Sequence, residues 1–176
     1  MSRPRDTQRS KLYAAERRAF GRSTAELPAV ADVQAYVDKV VGTAWWIARW
    51  GFDPVRVADG RGSSSARCIS TTGIAVPVDM RSKWVVLHEL AHVATQRQYG
   101  WNAVPWHGWE FCDNYLAIVR HYLGADAADR LRAEMRAGRV RYTKPRQGRP
   151  LTPEQRAAAV ARLAAYRANA ASKDPS

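Results

Sequence analysis

At 176 residues the chain is long enough for one domain with a real core and tails, and short for two. Cys68 and Cys112 are its two cysteines, with no CxxC between them, which excludes a disulfide framework and a zinc ribbon; no apolar stretch approaches the about eighteen residues that cross a bilayer. The start, MSRPRDTQRSK, is polar and basic with no apolar segment behind it, so the protein is expected in the cytoplasm, away from membranes, with both thiols reduced.

The net charge of +12 is unevenly spread. Residues 1–22 set seven cations against Asp6 and Glu16, a net of +5, and residues 130–176 set twelve against Glu134, Glu154 and Asp174, a net of +9, which leaves −2 between them. Basic flanks around a near-neutral centre place any attraction to a polyanion such as DNA at 1–22 and 130–176. A solubilising surface accounts for the same charge equally well.

In chain order, residues 6–20 carry Leu12, Tyr13, Glu16 and Phe20 at helical spacing and form a helix or docking arm, so that 1–27 reads as a basic N-terminal segment ahead of a domain over 28–142. The stretch ADVQAYVDKVV puts Val33, Tyr36, Val37 and Val40 on one stripe, with Asp32 as its cap. Trp45, Trp46, Trp50 and Phe52 then cluster around Gly51 and are expected to pack in the core rather than stack on bases. Three short strands follow, Val55–Ala58, Ala66–Ser70 and Gly73–Val78, separated by turn residues that suit antiparallel connections. Pro77 cannot donate to a ladder, so the third strand is expected at an edge or strand end, where an extended peptide could pair with it.

The next helix, from about Ser82 to Gln98, contains WVVLHELAHVA and with it His-Glu-x-x-His. One helical turn separates His88 from His92, so two neutral imidazoles roughly 6 Å apart can close on one metal ion. The surrounding residues are uncharged and mostly apolar; a carboxylate and two imidazoles sunk among them without partners would be costly, and a metal removes that cost. Glu89 is placed to act as general base on water that the metal activates. After the loop Trp101–Trp106, Phe111, Tyr115, Leu116, Val119 and Leu123 mark a further helix that stops at Gly124, and Asp126 caps another to about Ala137. VRY at 140–142 is a candidate strand, and 143–176 reads as a basic linker followed by an Ala-rich helix over 152–171. The expected fold is α+β and zincin-like: a small antiparallel or mixed three-stranded sheet against the HExxH helix, with flanking helices.

Catalytic zinc takes three protein ligands and keeps one position open. His107, fifteen residues after His92, is the leading third ligand, with Glu110 as the alternative and otherwise as a carboxylate that holds a ligand imidazole. Cys112 is a remote candidate, and His121, fourteen residues past His107, is read as an ordinary surface or core residue. Tyr99, Tyr115 or an arginine could stabilise the oxyanion.

His88-Glu89-Leu90-Ala91-His92, the fifteen-residue step, and His107-Gly108-x-Glu110-Phe111-Cys112 together resemble the SprT-like metalloproteases, which include the Spartan proteases of DNA–protein crosslink repair. The chain is also similar to small HExxH zinc metallohydrolases of actinobacteria and their phages. The likeness covers about residues 55–123. It implies Zn²⁺ on His88, His92 and His107, Glu89 as catalytic base, and a polypeptide substrate. No Cys-rich zinc ribbon follows, so the resemblance supports zinc and hydrolysis more strongly than crosslink repair. Two other classes remain beside the metallopeptidase: a nucleic-acid-binding module stapled by a structural metal, and a zinc amidase or esterase acting on a small molecule.

Overall fold

In the computed structural model, residues 4–145 are described, together with 152, 154, 157, 158 and 160–162. The chain divides into a unit over Met1–Lys144 and a second over Pro145–Ser176. Residues 1–27, expected as an arm ahead of the main domain, thus belong to the first unit. Of the expected final helix, Glu154, Ala157, Ala158, Val160, Ala161 and Arg162 are helical, and its other residues lie outside the described set.

The first unit runs α1 (Arg9–Phe20), α2 (Val30–Val41), α3 (Ala44–Trp50), β1 (Arg56–Asp59), β2 (Arg67–Ser70), β3 (Gly73–Val76), α4 (Lys83–Tyr99), α5 (Trp109–Tyr122) and α6 (Ala125–Ala137). It is α+β. Among the described residues no helix is long and apolar enough to cross a membrane.

In α2, Val33, Val37, Val40 and Val41 form the buried stripe. Asp32 lies inside its first turn, and its carboxylate accepts the Ala29 N–H at 2.9 Å; the cap position itself is Ala29, not Asp32. The tryptophan cluster contains a helix of its own, α3, because the Thr43 hydroxyl caps it by accepting the Trp46 N–H at 3.2 Å. Trp46 and Trp50 are buried, whereas Phe52 is largely exposed. At α6 the cap is Gly124, and Asp126 sits in the first turn, where its charge favours the helix dipole. Residues 140–142 form no strand.

The sheet is mixed, in the order β1-β3-β2. β1 runs parallel to β3, with Val57 opposite Ile74, and β2 runs antiparallel to β3, with Cys68 opposite Ile74. The third strand is therefore central rather than at an edge. All four of its residues are buried, and Pro77 falls just beyond its end. The outer edge of β1 is covered by Gln34 of α2, whose amide accepts the Val57 N–H at 2.8 Å and donates to the Val55 carbonyl at 2.9 Å. That leaves β2 as the edge strand beside α4.

α4 is buried continuously from Val85 to Gln96. The sheet lies against one side of it and α5 against another; α6 packs on α5, and α1 packs on α6. Burial all round explains why, from Val85 to Ala94, the helix carries no polar residues apart from His88, Glu89 and His92.

Candidate metal centre

The described His, Cys, Asp and Glu side chains that converge as a ligand set are His88, His92 and His107, whose ligand-grade atoms all lie within 4.8 Å of one another. All three are buried. His88 and His92 come from successive turns of α4. His107 ends the loop between α4 and α5. That loop is tied down by polar contacts: the Gln96 amide accepts the Asn102 N–H at 2.7 Å, and Trp106 Nε1 donates to Asn102 Oδ1 at 2.8 Å. Asn102 has a φ of 60°, a left-handed conformation that asparagine tolerates. From α5, Asn114 donates to Thr95 Oγ1 at 3.1 Å and to Gln98 Oε1 at 2.9 Å, which locks α5 to α4 behind the site.

The geometry suits a cation. His88 Nε2 and His92 Nε2 stand 3.2 Å apart, and two nitrogens on a tetrahedral zinc at about 2.0–2.1 Å from the metal stand about 3.3 Å apart. His107 Nε2 is buried without a hydrogen-bond partner. Phe111 packs beneath all three rings, at centroid distances of 4.9 Å to His88, 4.3 Å to His92 and 5.2 Å to His107.

The carboxylates that hold these rings come from the N-terminal segment. Glu16 Oε1 lies 2.5 Å from His88 Nδ1, and Asp6 Oδ2 lies 2.6 Å from His107 Nδ1. Gln8 fastens the same segment: its amide nitrogen donates to the His107 carbonyl at 2.6 Å and the Arg141 carbonyl at 2.9 Å, while its oxygen accepts the Arg141 N–H at 2.9 Å. Burial pushes the His88 imidazole down, but the Glu16 carboxylate outweighs it and the net direction is up. At His107 burial wins over Asp6, and the direction is down.

Glu89 is buried beside the triad, with Oε2 lacking a hydrogen-bond partner. Burial raises its carboxyl to about 7, opposed by His88, reinforced by the Glu16 charge, and opposed by the Cys68 backbone N–H. Cys68 of the edge strand β2 and the Glu89 carboxylate line the same cleft. Glu89, His92 and His107 open onto a cleft of about 190 Å³, whose other walls are Asp6, Arg9 and Tyr13, residues 65–68, and Trp106.

The remaining expected residues lie elsewhere. Glu110 is outside the ligand set; its carboxylate sits beside Gly108, with Oε2 buried and without a partner, and holds none of the imidazoles. Asp6 and Glu16 do that instead. The Cys112 thiol faces Gln8 Nε2 at 3.7 Å and is also outside the set. Tyr99 is the last residue of α4, seven residues and about 10 Å along the helix past His92, and its ring packs on Trp109. Tyr115 is fully buried behind His88, 5.4 Å away between centroids, with its hydroxyl directed at the Trp84 carbonyl at 3.4 Å. Neither tyrosine lines the cleft. Tyr13 does, with its ring 5.7 Å from that of His88 and 5.2 Å from that of His107, and the Arg9 guanidinium 5.3 Å from the Tyr13 ring centre. His121 stacks on Trp45 at 4.2 Å, on another part of the unit.

Glu16 did leave a trace in the sequence: a carboxylate four residues from Leu12 and four from Phe20, on the apolar stripe of its helix. Asp6 left none. Comparison of the chain with family models, with curated proteins and with solved structures finds no match.

Proposed function

We propose that the protein is a zinc-dependent metallohydrolase of zincin-like architecture, acting as a peptidase, with His88, His92 and His107 as ligands and Glu89 as general base. One observation carries this reading. Three buried imidazoles converge through their ring nitrogens, two of them backed by carboxylates, next to a further buried carboxylate with an open oxygen at the floor of a cleft. Structural zinc is normally closed by four protein ligands, whereas this set has three and a solvent-facing side.

When bound, zinc supplies Lewis acidity, polarising a carbonyl and lowering the pKa of water toward 7. Glu89 takes the proton from the attacking water and delivers it to the leaving amine, a role for which it is placed beside the triad at the cleft. Tyr13, beside Arg9 at the cleft wall, donates to the carbonyl oxygen as negative charge develops there. A peptide suits this cleft better than a small amide or ester, because β2 presents an unpaired sheet edge along it and can hold an extended chain by backbone hydrogen bonds. The resemblance to the SprT-like metalloproteases favours the same reading.

A contact with nucleic acid is a second, compatible reading. α1 and α6 pack together, and Lys11, Arg17, Arg18, Arg130, Arg136 and Arg139 lie on or beside them, so cations from both basic flanks meet on adjacent helices. DNA affinity that falls steeply with salt, and less steeply once these side chains are replaced by alanine, is the expected signature.

Elemental analysis with a peptidase assay tests the main reading. The parent is expected to hold one zinc and cleave unfolded protein; Glu89→Gln should keep the zinc and lose turnover by about 10²- to 10⁴-fold. Turnover that survives this change removes Glu89 as base.

A further inference from the structure

We infer that residues 6–16 are a working part of the metal centre: Asp6 and Glu16 are the positioning residues of His107 and His88, Gln8 latches the segment, and metal capture and docking of α1 form one linked equilibrium. This rests on the metal reading above.

The chemistry begins at the far nitrogen of each ring. A carboxylate at Nδ1 fixes the proton there and leaves the Nε2 lone pair directed at the metal, in the one tautomer that can ligate. For His88 that acceptor is Glu16 at 2.5 Å, and for His107 it is Asp6 at 2.6 Å. α4 cannot supply them, since the rest of its buried run from Val85 to Gln96 offers no carboxylate except Glu89, which faces the cleft.

Glu16 is buried on the same face of α1 as Leu12 and Ala15, a position where an apolar side chain would serve the packing better. Its burial requires polar partners, and they are the His88 imidazole at 2.5 Å and the Tyr115 hydroxyl beside it. Gln8 is likewise buried and spends both ends of its amide on backbone groups of His107 and Arg141. The contacts from Glu16 and Asp6 span 72 and 101 residues of sequence, so they exist only while the segment is docked. Whatever stabilises the docked segment must therefore tighten the metal, and the metal must stabilise docking to the same extent.

The test uses the full-length protein in four variants, Glu16→Ala, Glu16→Gln, Asp6→Ala and Asp6→Asn, with Ser10→Ala, exposed on α1, as control. Zn²⁺ affinity is measured by chelator competition, and amide hydrogen exchange over residues 9–20 is followed with and without Zn²⁺. Each alanine is expected to weaken Zn²⁺ by roughly 10- to 100-fold. The Glu16→Gln and Asp6→Asn variants keep a carbonyl oxygen that accepts from Nδ1–H and should recover most of that loss. Zn²⁺ should slow exchange in 9–20 of the parent. A role in packing alone would lower thermal stability without this rescue and without metal-dependent protection. The inference is overturned if the alanine variants bind Zn²⁺ like the parent, if the amides do no better than alanine, or if exchange in 9–20 ignores the metal. Should an alanine variant fail to fold, its amide counterpart and the parent's exchange decide. A parent that binds no Zn²⁺ defeats the metal reading itself, a result distinct from all of these.

Discussion

α4 and α1 face each other across the candidate metal and are built in opposite ways. α4 is buried from Val85 to Gln96, and its polar side chains within the HExxH motif are the site. α1 fully buries only Leu12, Ala15 and Glu16, half-buries Tyr13, Ala14, Ala19 and Phe20, and turns its basic residues to solvent. Two of the three candidate ligands, His88 and His92, therefore come from a helix held rigid on all sides by packing. The groups that orient them come from α1 and the residues just before it, a segment held on one face only, by α6 and by its contacts with the site. Precision in a buried site requires both, because a well-packed apolar helix has no hydrogen-bond acceptors left for its own histidines.

Removing the metal should break this contrast most completely. Chelation is expected to destabilise the protein by about 4 kcal/mol if zinc is held at a thousand times its Kd, with α1 exchanging first and α4 last, as read by hydrogen exchange. His88→Ala should do the same irreversibly. It deletes a ligand and leaves Glu16 buried without its imidazole partner. If α4 opened as early as α1, the two helices would not differ in the way their burial implies.

A smaller effect separates the chemical role of α1 from its structural one. Tyr13→Phe should lower kcat by about 100-fold, with KM and Zn²⁺ affinity unchanged, since only the hydroxyl at the cleft wall is lost. A change confined to KM would make Tyr13 a substrate contact only.

The smallest expected effect belongs to α4 alone. In metal-free protein the folded-state pKa of Glu89 is raised from 4.5 to about 7 by burial. A raised carboxyl favours folding fully below about pH 4.5 and loses that contribution as pH climbs through 7. Glu89→Gln carries no such titration. Without metal it should melt a few degrees above the parent at pH 8, and the two should converge at about pH 4.5 in thermal denaturation. No difference at pH 8 would mean the carboxylate is better solvated than its burial indicates.

Much of this contrast could be read from the chain before any coordinates. The HExxH turn is local: two histidines and a glutamate at helical spacing among apolar residues define their own geometry, and α2, α4 and α5 begin and end close to where their stripes and glycines place them. His107 was reachable from its distance to His92. The pairing of β1 with β3 was not, because a four-residue strand carries no mark of which neighbour it joins or in which direction. Strand order made β1 and β2 the two edges, and only β2's is open to the cleft because Gln34 of α2 covers that of β1. Tyr99 and Tyr115 were plausible by residue type and excluded by position. Tyr13 was hidden as one more aromatic on an N-terminal helix.

By itself, then, the amino-acid order determined which helix carries the paired histidines His88 and His92, since helical periodicity is a short-range property that four or five residues settle. Tertiary structure alone decided what surrounds them: that Asp6 rather than Glu110 meets His107, that Glu16 meets His88, and that the cleft opens between α1 and β2. The reason is one of range. Hydrogen bonds act over about 3 Å, and it takes the packing of α1 on α6 and of Phe20 on Trp84, with the Gln8 latch, to bring residues so far apart in the chain within that distance.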